Sequence, residues 1–147
     1  MTALSIGKLS KSTDVKVPTI RFYEQIGLLP EPDRTDSDRR VYGDRDVRRL
    51  AFIKHARQLG FTIDGIRTLL ALSDQPDRDC DEANRLAQEQ LAAVESKIAQ
   101  LQALRGELWR MVEARCRGAA ADCRVIETLA DHARCMQDHV EPSPFAR

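Results

Sequence analysis

The sequence predicts an all-α dominated protein with a winged helix-turn-helix domain, a long coiled-coil helix, and a short C-terminal loop and helix. Three observations support this. Aliphatic and charged residues dominate and aromatic residues make up only 5%, which favours helices over a β-sandwich. Two short helical patterns and a hairpin pattern fill the first 42 residues. A helical pattern without proline then runs from residue 81 to residue 115.

Two short helices open the chain. Ser5 is placed to cap the first, which covers residues 5–10. Pro18 suits the first turn of the second helix, where its missing N–H is not needed, and Gly27 suits its end. Two short helices joined by a tight turn predict a helix-turn-helix. Polar residues of the second helix are Lys16, Thr19, Arg21 and Tyr23.

A hairpin is predicted after the second helix. Pro30 and Pro32 precede the turn-rich residues 35–38, and a run of arginine, valine and tyrosine follows. This order predicts two short extended segments joined by a polar tip. The arginines lie at the base of the hairpin, where guanidinium groups could contact phosphates. The hairpin is therefore interpreted as a wing.

Residues 19–30 read TIRFYEQIGLLP, and Arg34 and the triplet 40–42, RVY, follow. This combination resembles the MerR family of winged-helix transcription regulators over roughly the first half of the chain. The resemblance implies that five residues contact the DNA backbone: Arg21, Tyr23, Arg34, Arg40 and Tyr42. Lys16 and Thr19 are weaker candidates. Arg39 stands where many members carry an aromatic residue and adds another cation.

The charge distribution is consistent with DNA binding by the N-terminal part of the chain. Residues 1–60 carry 12 Lys and Arg against 8 Asp and Glu, whereas the remainder carries 11 against 15. A basic N-terminal part and an acidic C-terminal part suggest that only the N-terminal part binds nucleic acid. The other interpretation is ordinary scatter of surface charge. The predicted DNA-binding domain covers residues 1–75.

Two further helices are predicted between the wing and the long helix. Asp44 is expected to cap a helix over residues 45–58, and Thr62 to cap a helix that follows. In the family, this pair forms a second wing and links DNA binding to the long helix.

The dimerisation helix is predicted over residues 80–115. Apolar residues recur at alternating three- and four-residue steps, interrupted only by Arg105: Ala87, Leu91, Val94, Ile98, Leu101, Leu108 and Val112. Such a helix needs a partner, and a second copy in a homodimer is the simplest one. The alternative is a helix folded back on its own domain. The resemblance implies that the two helices pair antiparallel.

Three cysteines lie at the ends of this helix. Cys80 and Cys116 are 36 residues apart, or roughly 54 Å at about 1.5 Å per residue, so they cannot share an ion within one chain. In an antiparallel pair, the partner's Cys80 would lie beside Cys116 and Cys123, which flank a short loop. Residues 116–147 are therefore predicted to form a metal-binding loop, a short helix and a tail.

The ligand set favours a divalent effector ion. Three thiolates suit zinc, cadmium or lead, whereas two suit copper(I). Mercury would also bind three thiolates, and a copper(I), mercury or thiol/redox sensor remains the alternative. Further candidate ligands in the tail are His132, Cys135 and His139.

The expected function is metal-responsive transcription regulation of metal efflux or resistance genes. The resemblance implies that the homodimer sits on double-stranded promoter DNA and, on metal binding, distorts it so that RNA polymerase contacts come into register. No catalytic constellation is apparent, and Glu127 is the only nearby candidate for a general base, so an enzyme is not expected. No signal peptide or membrane-length apolar run is seen, which predicts a cytoplasmic protein without a membrane partner.

Overall fold

The structure is a computed structural model that describes residues 3–114, 118–120 and 123–131 of the 147-residue chain. The described residues form six helices and one small sheet. Their order is α1 (Ile6–Thr13), α2 (Val17–Gln25), β1 (Asp33–Arg34), β2 (Arg40–Val41), α3 (Asp44–Gln58), α4 (Ile63–Ser73), α5 (Asp81–Glu113) and α6 (Arg124–Ala130). The predicted mostly helical fold is confirmed.

Local signals define the ends of α1 and α2. The Ser5 hydroxyl accepts a hydrogen bond from the Lys8 N–H at 3.3 Å and caps α1 as predicted. Asp14 ends α1 in the left-handed region, with φ 55°. Pro18 lies in the first turn of α2, and Gly27, with φ +81°, turns the chain out of it. The two helices thus form the predicted helix-turn-helix.

The hairpin after α2 is the predicted wing. Its strands pair antiparallel, with Asp33 opposite Val41 and Arg34 opposite Arg40. At the tip, the Asp38 N–H donates to the Thr35 carbonyl at 2.8 Å. At the base, Tyr42 and Leu4 exchange backbone hydrogen bonds of 2.7 and 2.8 Å, which fastens the wing to the start of the chain.

Helices α3 and α4 complete the N-terminal core. The side chain of Thr62 caps α4 as predicted, by accepting from the Gly65 N–H at 3.0 Å. For α3, the N-cap is Gly43 and not Asp44, because the Asp46 carboxylate accepts the Gly43 N–H at 2.9 Å and starts the helix one residue earlier. The fully buried core side chains come from these helices, α1, α2 and the loop after α2: Leu9, Ile20, Leu28, Leu29, Leu50, Ile53 and Ile66.

The chain divides into two compact units, residues 1–88 and 89–147, with the division inside α5. The first unit contains the helix-turn-helix, the wing, α3 and α4. The second unit contains most of α5 and all of α6. No helix within the described ranges is long and apolar enough to cross a membrane.

Candidate nucleic-acid interface and metal site

The recognition helix α2 presents polar side chains that were predicted to contact DNA. Lys16 and Arg21 are exposed, and Thr19 is half-buried. Tyr23 is 8% exposed, so most of its ring belongs to the core. The ring lies 6.0 Å from that of Phe22, at a tilted angle.

A first concave surface lies between α2 and the wing. It has a volume of about 350 Å³ and is lined by Arg21, Glu24, Gln25, Glu31, Pro32, Arg34 and Arg40. Three of the predicted DNA-contacting arginines therefore lie around one depression. Planar guanidinium groups suit bidentate recognition of phosphate oxygens. We refer to this depression as the wing surface.

Arg34 is held in place by the tip of the hairpin. Its Nη1 lies 3.2 Å from the Asp38 carboxylate and also donates to the Asp38 carbonyl. Arg39 is exposed at the tip, where its N–H donates to the Thr35 hydroxyl at 3.2 Å. Arg39 does not line the wing surface. The exposed tip of the wing therefore carries one further cation.

A second concave surface, of about 400 Å³, lies on the other side of α2. Its lining combines predicted residues with residues of α3 and of the turn between α1 and α2: Asp14, Val15, Lys16, Thr19, Tyr23, Lys54, Arg57 and Gln58. We refer to it as the α3 surface. The structure thus distributes the predicted residues of α2 between two depressions.

Lys54 and Arg57 were missed in the sequence analysis. They lie three residues apart on α3, a spacing that places side chains on one helix face and could have identified them as a pair. The Lys54 ammonium donates to the carbonyls of Thr13 and Asp14, at 3.2 and 3.3 Å. Arg57 donates to the Phe61 carbonyl at 3.0 Å. Both cations are therefore held by backbone carbonyls, and both line the α3 surface together with Lys16 and Thr19.

Tyr42 occupies a different environment from the other predicted residues. It is 2% exposed, and its hydroxyl donates a short hydrogen bond to Glu24 Oε1. Burial and the hydrogen bond to Glu24 raise the pKa of Tyr42 above its usual value. The second oxygen of Glu24 pairs with Arg40 Nη1 at 3.2 Å. Tyr42, Glu24 and Arg40 therefore form one network between the wing and α2.

Two of the predicted metal ligands lie within the described residues. Cys80 is an exposed free thiol directly before α5, and its carbonyl accepts the Asn84 N–H at 2.9 Å. Cys123 is half-buried at the N-terminal end of α6. Cys116, His132, Cys135 and His139 lie outside the described residues.

The donor chemistry fits a thiolate metal site that needs more than one segment of chain. Within the described ranges, no group of three or more His, Cys, Asp or Glu side chains could hold an ion. Cys80 and Cys123 belong to different compact units. Sulfur ligands of zinc lie about 2.3 Å from the ion, so a complete site requires further donors beside either cysteine.

Comparisons with known proteins identify the family to which the chain belongs. The model of the MerR HTH family regulatory proteins matches residues 4–73, and the model described as MerR, DNA binding, matches residues 47–111. The HTH-type transcriptional regulator ZntR of Escherichia coli (strain K12) is 39% identical over 131 residues, which cover 87% of this chain and 93% of that protein. The heavy metal-dependent transcription regulator 2 of Rhizobium meliloti (strain 1021) is 38% identical over 140 residues, 95% of each chain.

A solved structure shows the same likeness. The crystal structure of the transcription regulator PbrR691 from Ralstonia metallidurans CH34, in complex with lead(II), superposes with a TM-score of 0.73. It is 38% identical in sequence and covers 86% of this chain and 98% of that one. The helix-turn-helix, the wing, the long helix and these matches together show that the chain belongs to the MerR family of DNA-binding transcription regulators, which are not enzymes.

Proposed function

We propose that this protein is a metal-responsive transcription regulator of the divalent-metal branch of the family, and that it activates a promoter as a homodimer when cadmium, lead or zinc binds. The observation that carries the proposal is the position of an exposed thiol, Cys80, at the head of a 33-residue helix in a chain with a DNA-binding unit. A relative named as a heavy metal-dependent transcription regulator and a transcription regulator solved in complex with lead(II), both 38% identical to this chain, support the metal response.

The two basic surfaces on either side of α2 support DNA binding by the first unit. The wing surface contributes Arg21, Arg34 and Arg40, and the α3 surface contributes Lys16 and Arg57. Phosphate contacts from such cations position a protein on a duplex, whereas side chains at the start of the recognition helix can reach base edges. We assign Thr19 to that start and Arg39 to an additional backbone contact.

An exposed apolar row on α5 supports the homodimer. Eight large apolar residues of this helix are between 41% and 67% exposed: Leu91, Val94, Ile98, Leu101, Leu104, Leu108, Trp109 and Val112. A contiguous apolar surface of this length marks an association site. Six of the eight fall on the heptad positions predicted from sequence, which favours a second α5 as the partner.

The metal site follows from antiparallel pairing of two α5 helices. The partner's Cys80 then lies at the end of the helix that leads into Cys116 and Cys123, and the three thiolates form one site. Three thiolates suit zinc, cadmium or lead, and a bound ion supplies bonds that join the two protomers. His132, Cys135 and His139 follow closely in sequence and are candidates for a fourth ligand.

A site shared between protomers gives the response its physical basis. Ion occupancy is coupled to the relative orientation of the two protomers, and therefore of the two DNA-binding units. Distorting a promoter costs several kcal/mol, a cost that thiolate–metal bonds are able to offset. RNA polymerase on the same promoter, in the cytoplasm, would then read the distorted DNA.

The test uses the full-length protein on the DNA upstream of its own gene. We expect a nuclease footprint without metal, and new hypersensitive positions together with more transcript from purified RNA polymerase after addition of cadmium, lead or zinc. Magnesium at the same concentration is the control, because oxygen ligands and not thiolates suit it. A footprint and transcript level that none of the three ions changes would overturn the proposed function.

A further inference from the structure

We propose that Glu24 is a positioning residue for DNA binding, because it holds Arg40 of the wing in the orientation that contacts a phosphate. The proposal rests on the proposed contact between Arg40 and the DNA backbone. It assigns to an acidic residue, on the helix that faces a polyanion, a role that strengthens binding.

Glu24 uses both of its carboxylate oxygens to connect α2 to the wing. Oε1 accepts the hydroxyl of Tyr42, and Oε2 lies 3.2 Å from Arg40 Nη1. Its side chain is only 8% exposed. Both oxygens of this nearly buried side chain therefore have a partner on the wing, and hydrogen bonds that involve a charged group are stronger than neutral ones.

The wing depends on such a connection because it has little structure of its own. Each strand has two residues, and the residues from Asp33 to Arg39 are all exposed. An isolated hairpin of this length is marginally stable in water. The Leu4–Tyr42 backbone pair fastens the base of the hairpin, and the Glu24 network fixes the side chains that follow the tip.

Arg40 remains able to contact DNA while it is paired. Its side chain is 35% exposed, and it lines the wing surface together with Arg21 and Arg34. The guanidinium has five N–H donors in a fixed fork, so one can face Glu24 while others face a phosphate. Fixing the side chain before DNA arrives reduces the entropy lost on binding.

A rival explanation predicts the opposite change in DNA affinity when Glu24 is replaced. If Glu24 acted on DNA only through its own charge, it would repel phosphates, and its removal would tighten binding. Glu31 provides the matched control for this effect. It is an exposed acid that lines the same wing surface, and no ion pair joins it to Arg40 within the part of the chain that the structure describes.

The experiment measures affinity of the metal-free full-length protein for its operator duplex over a range of salt concentrations. The variants are Glu24→Gln, Arg40→Gln, the double variant and Glu31→Gln. We expect Glu24→Gln to weaken binding about tenfold. We also expect the slope of log affinity against log salt concentration to become less steep by roughly two per dimer, because each lost phosphate contact reduces that slope by about 0.9. In the Arg40→Gln background, Glu24→Gln should cause no further loss. Glu31→Gln should bind as tightly as the unmodified protein or more tightly.

Two results would overturn the positioning role. Tighter binding by Glu24→Gln, with a steeper salt dependence, would show that repulsion dominates. An equal loss of affinity with and without Arg40, at an unchanged salt dependence, would show that Glu24 only supports the fold. Failure of the unmodified protein to select operator over random duplex would instead contradict the proposed DNA-binding function.

Discussion

The Arg49 guanidinium lies 3.2 Å from the Asp74 carboxylate and ties α3 to the C-terminal end of α4. The same side chain donates from Nε to the Leu28 carbonyl at 2.9 Å, in the loop directly after the recognition helix. Asp74 is the C-cap of α4 and lies six residues before Cys80. One side chain therefore contacts both the loop after α2 and the start of the segment that leads to the proposed metal ligand.

The two contacts of Arg49 differ in strength, which gives a stability prediction. Asp74 is 51% exposed, and an exposed ion pair contributes about 0–1 kcal/mol. The Leu28 carbonyl is part of the core loop, and a hydrogen bond from a charged donor contributes about 1.5–3 kcal/mol. We expect Arg49→Met to lower the free energy of unfolding by about 2 kcal/mol and Asp74→Asn by less than about 1 kcal/mol. Urea denaturation at one fixed protein concentration measures both, and equal losses would assign the stabilisation to the ion pair.

Tyr42 gives a prediction on pH. Because burial and Glu24 raise the pKa of Tyr42 in the folded protein, its hydroxyl stabilises the fold below the ordinary tyrosine pKa of 10.0. Above that value the unfolded chain loses the proton while the folded protein keeps it, so this contribution falls as the pH rises. We expect the difference in unfolding free energy between the unmodified protein and Tyr42→Phe to shrink from pH 9 to pH 11. The substitution leaves every other side chain unchanged, and a difference that stays constant would contradict the raised pKa.

Local sequence signals were sufficient for much of the fold. Ser5, Thr62 and Gly27 were assigned as helix boundaries because a cap or a left-handed turn needs only the nearest few residues, and the structure confirms all three. The cap of α3 was assigned one residue too late. Gly43 has no side chain to suggest a cap, and the deciding acceptor, Asp46, lies three residues further on.

The environment of the residues predicted to contact DNA was less predictable from sequence, because it depends on contacts between distant segments. From sequence, Tyr42 was interpreted as a residue of the wing that follows two arginines. Its hydroxyl instead bonds to Glu24, which lies 18 residues earlier in the chain. The sequence gives Lys54 no feature beyond that of a surface cation on α3. Its ammonium nevertheless donates hydrogen bonds to two carbonyls at the end of α1, about 40 residues away. Periodicity places residues on faces of elements, but the packing of those elements decides which side chains meet.

The apolar row on α5 predicts that dimer formation depends on single heptad positions. Leu108 is 53% exposed and lies on the predicted contact face. We expect Leu108→Glu to give monomers in sedimentation at micromolar concentration, because antiparallel pairing would bury an unpaired carboxylate in each of two places. Gln100→Glu introduces the same charge at an exposed position off the heptad row and should leave the dimer intact. A dimer that survives Leu108→Glu would contradict α5 pairing and favour a helix that packs within its own chain.

The proposed sharing of thiolates between protomers predicts that two inactive variants restore a site when they are mixed. Cys80→Ser and Cys123→Ser homodimers each lack a ligand in both sites, so neither should bind cadmium tightly, while both retain operator binding. A mixed dimer of the two variants has one complete site, formed by Cys116 and Cys123 of one protomer and Cys80 of the other, and one site that lacks two ligands. We therefore expect one tightly bound ion per mixed dimer, against two for the unmodified dimer, measured by thiolate charge-transfer absorption during titration. Sites formed within single chains would leave the mixed dimer without a complete ligand set, and the titration would then show no tight ion.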